Sequence, residues 1–279
     1  MCAGSKCYND STHKKGCEKM EFRKIFDTIP DKFDQYRPRY SQELFDWLLK
    51  YADIGPGKTV LELGPGTGQA TEPVLNSGCD YHAIELGENL FEKMKEKFSD
   101  RKNFSIVNDD FITHDFGEQK FDMIYSAATI QWIPEEIAYK KTFELLKPGG
   151  VLAMMFTRED YRSYNEALYE KIQKVYDQYF KPEVPYKQGG FGYTKAPDYG
   201  YGPVEMREFY GTREMTADEF AAFNGTHCTH LVIPEPYNTK FFEGLRDAVL
   251  ESGNKIVYKD TYVLYVTRKP VTDLSSDPA

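Results

Sequence analysis

The segment from Val60 to Thr71, with the sequence VLELGPGTGQAT, constrains the fold of this chain more than any other. It joins an apolar, β-prone run to a helical pattern through Gly64, Gly66 and Gly68. Because glycine has no Cβ, such a turn adopts positive φ angles and lets the backbone come close to a ligand. The N-terminus of the helix that follows offers free N–H groups to the same ligand. The segment therefore predicts a strand, a tight turn and a helix around a binding site.

From this turn as far as Phe156, β-prone segments alternate with amphipathic helical segments. Alternation of this kind is typical of an α/β fold with a doubly wound, Rossmann-like parallel sheet. The carboxyl ends of the predicted strands carry Gly64, Glu85, Asp110 and Ser126. Because ligands of such sheets bind at the carboxyl ends of the strands, we expect these residues to share one site.

The alternation stops near residue 159, which predicts an inserted cap. A capping box of Ser163 and Glu166 would open its first helix, and a segment rich in Gly, Pro and Tyr, 181–211, follows. Since lids commonly exclude water during group transfer, we expect the cap to cover the site and select the substrate. The predicted organisation is a tail over 1–20, a core with N-terminal helices over 21–158, the cap over 159–240, a last helix with a closing β-hairpin over 241–269 and a tail over 270–279.

Charge and hydropathy exclude several classes of partner. The net charge of −9 disfavours nucleic acid as a substrate, because phosphate binding requires a basic face. No apolar run approaches the ~20 residues that span a bilayer, and the polar first 20 residues have no signal-peptide core. We therefore expect a cytoplasmic protein, a monomer or a homodimer, that acts on a small molecule and binds neither nucleic acid nor membrane.

The five cysteines in 279 residues do not suggest a disulfide scaffold. Cys2, Cys7 and Cys17 lie with His13 near the start of the chain, where three Cys and one His have the composition of a zinc site. Their spacings are only loosely zinc-like and include no C-x-x-C pair. We therefore predict no metal site.

Four short motifs carry a resemblance to class I S-adenosylmethionine (SAM) methyltransferases. The spacing of Glu62, Gly64, Gly66 and Gly68 resembles their motif I, whereas Gln69 stands where a dinucleotide-binding turn has its third glycine. The sequence YRPRY at 36–40 resembles the Y-R-P-x-Y-P lead-in of bacterial small-molecule methyltransferases, with Ser41 in place of the second proline. The sequence ATIQWI at 128–133 resembles an A-x-x-Q/H-W element of trans-aconitate methyltransferase-like proteins, and LLKPGG at 145–150 resembles their L-L-K-P-G-G.

This resemblance implies a seven-stranded, mostly parallel, Rossmann-like sheet and SAM as the cofactor. It does not reach the predicted α-rich cap after the fifth strand. It implies transfer of the SAM methyl group to an O, N, S or C nucleophile of a small molecule. The Glu85 carboxylate would accept from the ribose hydroxyls and Asp110 from the adenine amino group, with Phe111 beside the ring. The residues implied in cofactor binding are Tyr36, Arg37, Glu62, Gly64, Gly66, Thr67, Gly68, Gln69, Glu85, Leu86, Asp110, Phe111, Ala127, Gln131 and Trp132.

A hydroxyl or acidic-carbon acceptor needs a general base, and His is the commonest one. His227 and His230 follow a predicted cap helix and are the candidate bases, although packing histidines have the same appearance in a sequence. Two other functions stay open. One is a SAM-binding protein without transferase activity. The other is a nicotinamide-dependent oxidoreductase on the same fold, against which Gln69 and the K-P-G-G element count.

Overall fold

A computed structural model describes residues 22–183 and 190–271 and centres on one seven-stranded sheet. The strands are β1 (Thr59–Leu63), β2 (Asp80–Glu85), β3 (Phe104–Asn108), β4 (Phe121–Ala127), β5 (Leu146–Asp160), β6 (Glu205–Met215) and β7 (Ile256–Arg268). Their order across the sheet is β3-β2-β1-β4-β5-β7-β6. Strands β1 to β5 pair in parallel, and β7 runs antiparallel to β5 and β6. The predicted doubly wound, mostly parallel sheet is confirmed.

Helices flank the sheet and connect its parallel strands. They are α1 (Pro30–Tyr36), α2 (Gln42–Ala52), α3 (Thr71–Leu75), α4 (Glu88–Phe98), α5 (Glu135–Leu145), α6 (Glu166–Tyr179), α7 (Ala217–Asn224) and α8 (Tyr237–Leu250), with 3₁₀ helices at Phe22–Thr28, Ile130–Trp132 and Ala196–Tyr199. As expected for an N-cap, the Ser41 hydroxyl accepts a hydrogen bond from the Leu44 N–H.

Each face of the sheet carries its own apolar core, because successive strand residues point to opposite faces. Val60 packs with residues of α2, α3 and α4 on one face. Its neighbour Leu61 packs with residues of α5 on the other. Both faces are therefore covered, which leaves the carboxyl edge of the sheet as the place for a site.

A third apolar cluster joins α6, α7 and α8 to the start of β7, through residues such as Ile172, Phe223 and Phe241. Helix α8 therefore belongs to the cap, whereas the predicted boundary placed most of it with the core. Strand β6 lies inside the segment predicted as cap, yet it pairs with β7 along its whole length. The cap is thus built from three helices, and the sheet takes one strand from the middle of that segment.

The predicted closing hairpin over 241–269 is wrong, because β7 is a single unbroken strand. The polar pair Lys259 and Asp260 has the appearance of a turn in the sequence, but both residues pair in register with β5 and β6. Asp260 is only 1% exposed and is neutralised by Arg213 on β6. The buried ion pair allows a carboxylate in the middle of the strand.

The predicted capping box at Ser163 is also wrong. Helix α6 begins at Glu166, and the side chain of Asn165 accepts from the Leu168 N–H over 3.0 Å. The Ser163 N–H instead donates to the side chain of Asp160 at the end of β5. A complete capping box does occur at the start of α7, between Thr216 and Glu219.

The composition of the segment rich in Gly, Pro and Tyr is that of a mobile cover. From residue 190 onward, however, this segment is hydrogen-bonded to α5. The Gly192 N–H donates to Glu135 over 2.7 Å, its carbonyl accepts from the Tyr139 hydroxyl over 2.8 Å, and the Tyr201 hydroxyl lies 2.8 Å from that of Thr142. These contacts make a wall rather than a loose flap.

Cys2, Cys7, His13 and Cys17, for which no metal site is predicted, lie outside the described residues. Within residues 22–183 and 190–271, no helix is long and apolar enough to cross a membrane.

Candidate cofactor and acceptor site

A cavity of about 610 Å³ lies at the carboxyl edge of the sheet. It is bounded by the ends of β1 at Gly64, β2 at Glu85, β4 at Ala127 and β5 at Glu159. The strand order reverses between β1 and β4, which is where doubly wound sheets bind their ligands. The volume lies within the range of ~300–1,000 Å³ that is usual for small-molecule sites.

The glycine turn presents backbone to this cavity. Gly64, Gly66 and Gly68 all have positive φ, at 59°, 62° and 89°. Gly64 and Gly66 line the cavity, whereas Gly68 does not. A Cβ on Gly68 would lie 3.0 Å from Met94 and Phe98, so this glycine serves the packing of α4 against the turn.

Helix α3, which follows the turn, contributes less to the ligand site than its sequence pattern predicts. It starts only at Thr71 and is five residues long. Thr71 is buried, and its hydroxyl donates into the core. The turn itself, and not a helix N-terminus, therefore faces the ligand site.

Glu85 is a buried carboxylate on the cavity wall, 6% exposed. Its Oε2 accepts from the Gly66 N–H over 3.0 Å, and its Oε1 accepts from the Gly87 N–H over 2.9 Å. Burial raises the pKa of Glu85 to about 7, although the two N–H groups oppose that shift. Each oxygen keeps further acceptor capacity, so the group suits a pair of hydroxyls.

Asp110 lines the cavity beside Phe111, and an arginine that the sequence reading missed is paired with it. The Arg23 guanidinium donates to both carboxylate oxygens, over 3.1 and 2.6 Å. This hydrogen bonding lowers the pKa of Asp110. Arg23 belongs to the 3₁₀ helix Phe22–Thr28, which lies over this end of the cavity.

Aromatic side chains form the next section of the wall. Trp132 makes an edge-to-face contact with Phe26 at 5.8 Å between ring centroids, and Phe26 contacts Phe33 at 5.4 Å. Gln131 also lines the cavity and accepts a hydrogen bond from the Tyr193 hydroxyl over 3.3 Å. Phe26, Phe33 and Tyr193 were not among the predicted cofactor residues.

Glu62 was predicted to bind the cofactor, but it is fully buried in the core and does not line the cavity. It accepts from the hydroxyls of Thr71 and Tyr125, each over 2.6 Å, and from that of Tyr81. Burial raises its pKa. Glu62 therefore holds the turn from beneath by joining β1, β2, β4 and α3.

Most other predicted cofactor residues do lie on the cavity wall: Arg37, Gly64, Gly66, Gln69, Glu85, Leu86, Asp110, Phe111, Ala127, Gln131 and Trp132. Tyr36, Thr67 and Gly68 join Glu62 outside it. Tyr36 packs against the cap cluster, and the Thr67 hydroxyl accepts from Gln69 over 2.7 Å. These residues shape the wall without facing the cavity.

The candidate bases His227 and His230 do not line the cavity. The Nδ1 of His230 lies 2.8 Å from the Asn224 carbonyl oxygen, and its Nε2 lies 3.1 Å from the Tyr176 hydroxyl. Because a carbonyl only accepts, the neutral imidazole carries its proton on Nδ1. Burial lowers the pKa of His230 to about 4 and that of His227 well below its usual value. The structure places both within the aromatic packing of the cap.

Two charged residues stand at the opposite end of the cavity from Asp110. The Arg37 guanidinium lies over the rings of Phe26 and Phe33, at 5.7 and 5.3 Å from their centroids, and its Nη2 donates to the Thr226 carbonyl. Glu159 lines the cavity near the end of β5. The sequence reading missed Glu159 because it ended the fifth strand at Phe156. Within the described ranges, no group of three or more His, Cys, Asp or Glu side chains could hold a metal ion.

Comparisons with known proteins agree with this fold. Residues 61–152 match the family described as "Methyltransferase domain". An uncharacterised methyltransferase-like protein of Schizosaccharomyces pombe is 23% identical over 219 residues, which cover 78% of this chain and 82% of that protein. Phosphoethanolamine N-methyltransferase 2 of Caenorhabditis elegans is 32% identical over 116 residues, which cover 39% of this chain and only 26% of that protein.

One similar solved structure is that of a phosphoethanolamine N-methyltransferase 2 from Haemonchus contortus, in complex with phosphomonomethylethanolamine and S-adenosylhomocysteine. It matches with a TM-score of 0.52 at 16% identity, over 90% of this chain and 60% of that one. At that identity the likeness concerns the fold. The family match covers the end of β1, the glycine turn and β2 to β4, which hold most of the candidate cofactor residues. The family match and the topology of the sheet together support a class I SAM-dependent methyltransferase.

Proposed function

We propose that the protein transfers the methyl group of SAM to a small-molecule acceptor. The observation that carries this proposal is one cavity with two chemically different ends. One end holds Gly66, Glu85 and Asp110, and the other holds Tyr193 and Glu159. The first end suits the cofactor and the second an acceptor.

The side chains of the first end fit SAM by their chemistry. The buried Glu85 carboxylate offers acceptors to the ribose hydroxyls, and Asp110 offers them to the adenine amino group. Gly64 and Gly66 leave room for the methionine part, because no Cβ projects from either. When bound, SAM supplies an already activated methyl group on a positively charged sulfur.

The protein's own part in the transfer is then to position the acceptor and exclude water. Apolar walls from Phe26, Phe33 and Trp132 support water exclusion between the two ends. Positioning the acceptor and excluding water require neither His227 nor His230.

Two features favour a small molecule over nucleic acid as the acceptor. The net charge of −9 opposes binding to a phosphate backbone. The acceptor end is walled by the segment after residue 190, through Phe191 and Tyr193. The C. elegans relative is named for a small amine acceptor.

We also propose a cytoplasmic location, since Cys79 and Cys228 are free thiols.

The test is incubation of the folded protein with methyl-labelled SAM and three separate acceptor pools: small metabolites, total RNA and total protein. We expect label in the small-metabolite pool, and a loss of at least tenfold in Glu85→Ala. The matched control Glu92→Ala removes an exposed carboxylate of α4 and keeps the activity. Label only in RNA or protein would contradict the proposal. SAM binding without transfer to any pool would leave a binding protein instead.

A further inference from the structure

We propose that the acceptor is an amine and that Glu159 binds its nitrogen and takes its proton. This inference rests on the proposed function, since it names the acceptor class for the same cavity. It assigns a catalytic role to a residue outside the cofactor motifs.

The first support is the position of Glu159 in the sheet. Thr157 and Glu159 are two residues apart on β5, so their side chains point to the same face, and both line the cavity. Strand β5 lies next to β4, whose end at Ala127 borders the same cavity. Glu159 is therefore the carboxylate that the sheet itself brings to the acceptor end.

The second support is that the hydrogen-bonding capacity of Glu159 is only partly used. Its Oε1 accepts from Arg213 over 3.2 Å, and within the described part of the chain its Oε2 has no hydrogen-bond donor. Arg213 is already committed to Asp260, to which it donates from Nε and, over 3.0 Å, from Nη2. Since Asp260 neutralises Arg213, the charge of Glu159 is left for a ligand.

The surroundings of Glu159 favour a positively charged ligand. Tyr40, Phe156 and Tyr193 line the same end of the cavity, and the rings of Phe156 and Tyr193 lie 5.0 Å apart. Aromatic faces attract cations. The side chain of Glu159 keeps 23% of its surface open, so an ammonium group can reach it.

Arg37 is the cation that competes with an ammonium ligand for the charge of Glu159. Bound SAM would remove this competition by engaging Arg37. Its Nε is buried and has no hydrogen-bond partner among residues 22–183 and 190–271, which suits the carboxylate of the SAM methionine part. With Arg37 engaged there, an ammonium group is the natural partner for Glu159. The other titratable groups whose charges act on Glu159 or respond to it are Tyr161, Tyr176, Arg213, Tyr258, Asp260 and Tyr262.

The reaction balances with these groups alone. The bound ammonium gives one proton to the Glu159 carboxylate, which becomes a carboxylic acid. The lone pair that is freed on nitrogen forms the new N–CH₃ bond while the S–CH₃ bond breaks and its electron pair stays on sulfur. The products are a methylated ammonium and the neutral thioether, and Glu159 later releases its proton to water. Burial raises the pKa of Glu159, which favours its acceptance of the proton.

The experiment uses labelled SAM with a small-metabolite extract, half of which is acylated to block its amines. We expect acylation to remove at least nine-tenths of the acceptor activity. Glu159→Gln should lower kcat/KM by about a hundredfold, with the S-adenosylhomocysteine Kd within twofold. The wild-type rate should fall at acidic pH with a limb that Glu159→Gln lacks. The control Glu208→Gln changes a β6 carboxylate paired with Arg158 and keeps the rate.

Acceptor activity that survives acylation would overturn the inference, as would a Glu159→Gln variant within threefold of wild type. Unchanged S-adenosylhomocysteine affinity shows that the variant is folded, so lost transfer then reports on the acceptor end. If wild type labels no small molecule at all, the proposed function fails and this inference with it. If the label enters small molecules that are not amines, only this inference fails.

Discussion

The backbone N–H of Gly66 donates to Oε2 of Glu85 over 3.0 Å, and this bond joins the turn after β1 to the end of β2. Both residues line the cavity. The glycine turn and the carboxylate are therefore one unit, and a change in either should reach the cofactor.

Glu85→Ala should weaken SAM binding by tenfold or more. A hydrogen bond to a charged group contributes about 1.5–3 kcal/mol, and 1.4 kcal/mol corresponds to tenfold in affinity. Calorimetric titration with S-adenosylhomocysteine measures this, and Glu92→Ala on the exposed face of α4 is the control. An unchanged Kd would show that Glu85 serves only the strand end.

The affinity for SAM should fall as the pH drops below about 7. Hydroxyl groups donate to the ionised carboxylate, and burial raises the pKa of Glu85 to about 7. At pH 6 only about a tenth of the unliganded protein then has Glu85 ionised, so the apparent affinity should be several-fold to tenfold lower. A Kd that does not change between pH 6 and 8 would argue against this role.

Ionisation of Glu85 favours SAM binding but lowers the stability of the unliganded protein. Its folded pKa lies above the ordinary value of 4.5, so its contribution to the free energy of unfolding is present below pH 4.5 and is lost as the pH rises through about 7. Urea titrations of the wild type at pH 5 and 8 should show a larger decrease in stability than those of Glu85→Gln.

Gly66→Ala and Gly68→Ala should differ in cofactor affinity. Both positions have positive φ, where a side chain costs about 1–2 kcal/mol, so both variants should lose stability. Only Gly66 lines the cavity, whereas a Cβ on Gly68 meets Met94 and Phe98. Gly66→Ala should therefore also weaken S-adenosylhomocysteine binding, measured at a temperature where both variants are folded. Equal affinities would mean that both glycines serve the turn alone.

His230→Gln should lower stability and leave transfer within about twofold of wild type. The substitution breaks a buried network with Asn224 and Tyr176, and none of these three residues lines the cavity. Because the folded pKa of about 4 lies below the ordinary value of 6.5, the contribution of His230 to stability is present above pH 6.5. It is lost as the pH falls through about 4. Melting curves and a rate assay at 25 °C distinguish the two effects, and a rate loss above tenfold would restore His230 as a base.

The strand ends were predictable because their pattern is local. Glu85 follows directly on an apolar strand, and Asp110 follows the strand after it, so the β/α alternation alone brings both to one edge of the sheet. Glu62 stands in an equally local motif, but its environment is set across the sheet. Tyr125 lies opposite it on β4 in the strand register, and that pairing of sequence-distant strands is what buries it.

The missed residues depend on contacts between distant parts of the chain. Arg23 reaches Asp110 across 87 residues of sequence, and Glu159 becomes a wall residue only because β5 continues beyond Phe156 against β7. The Lys259 and Asp260 pair read as a turn for the same reason, since its partner Arg213 lies on β6. Neither apolar periodicity nor turn chemistry carries that information.

The most direct test of the account is calorimetric titration of the folded wild-type protein with S-adenosylhomocysteine, SAM and NAD in parallel. We predict one site with micromolar or tighter affinity for the first two ligands, weakened at least tenfold in Glu85→Ala, and no heat with NAD. Folded protein that binds neither SAM nor S-adenosylhomocysteine, or that binds NAD in their place, would contradict it.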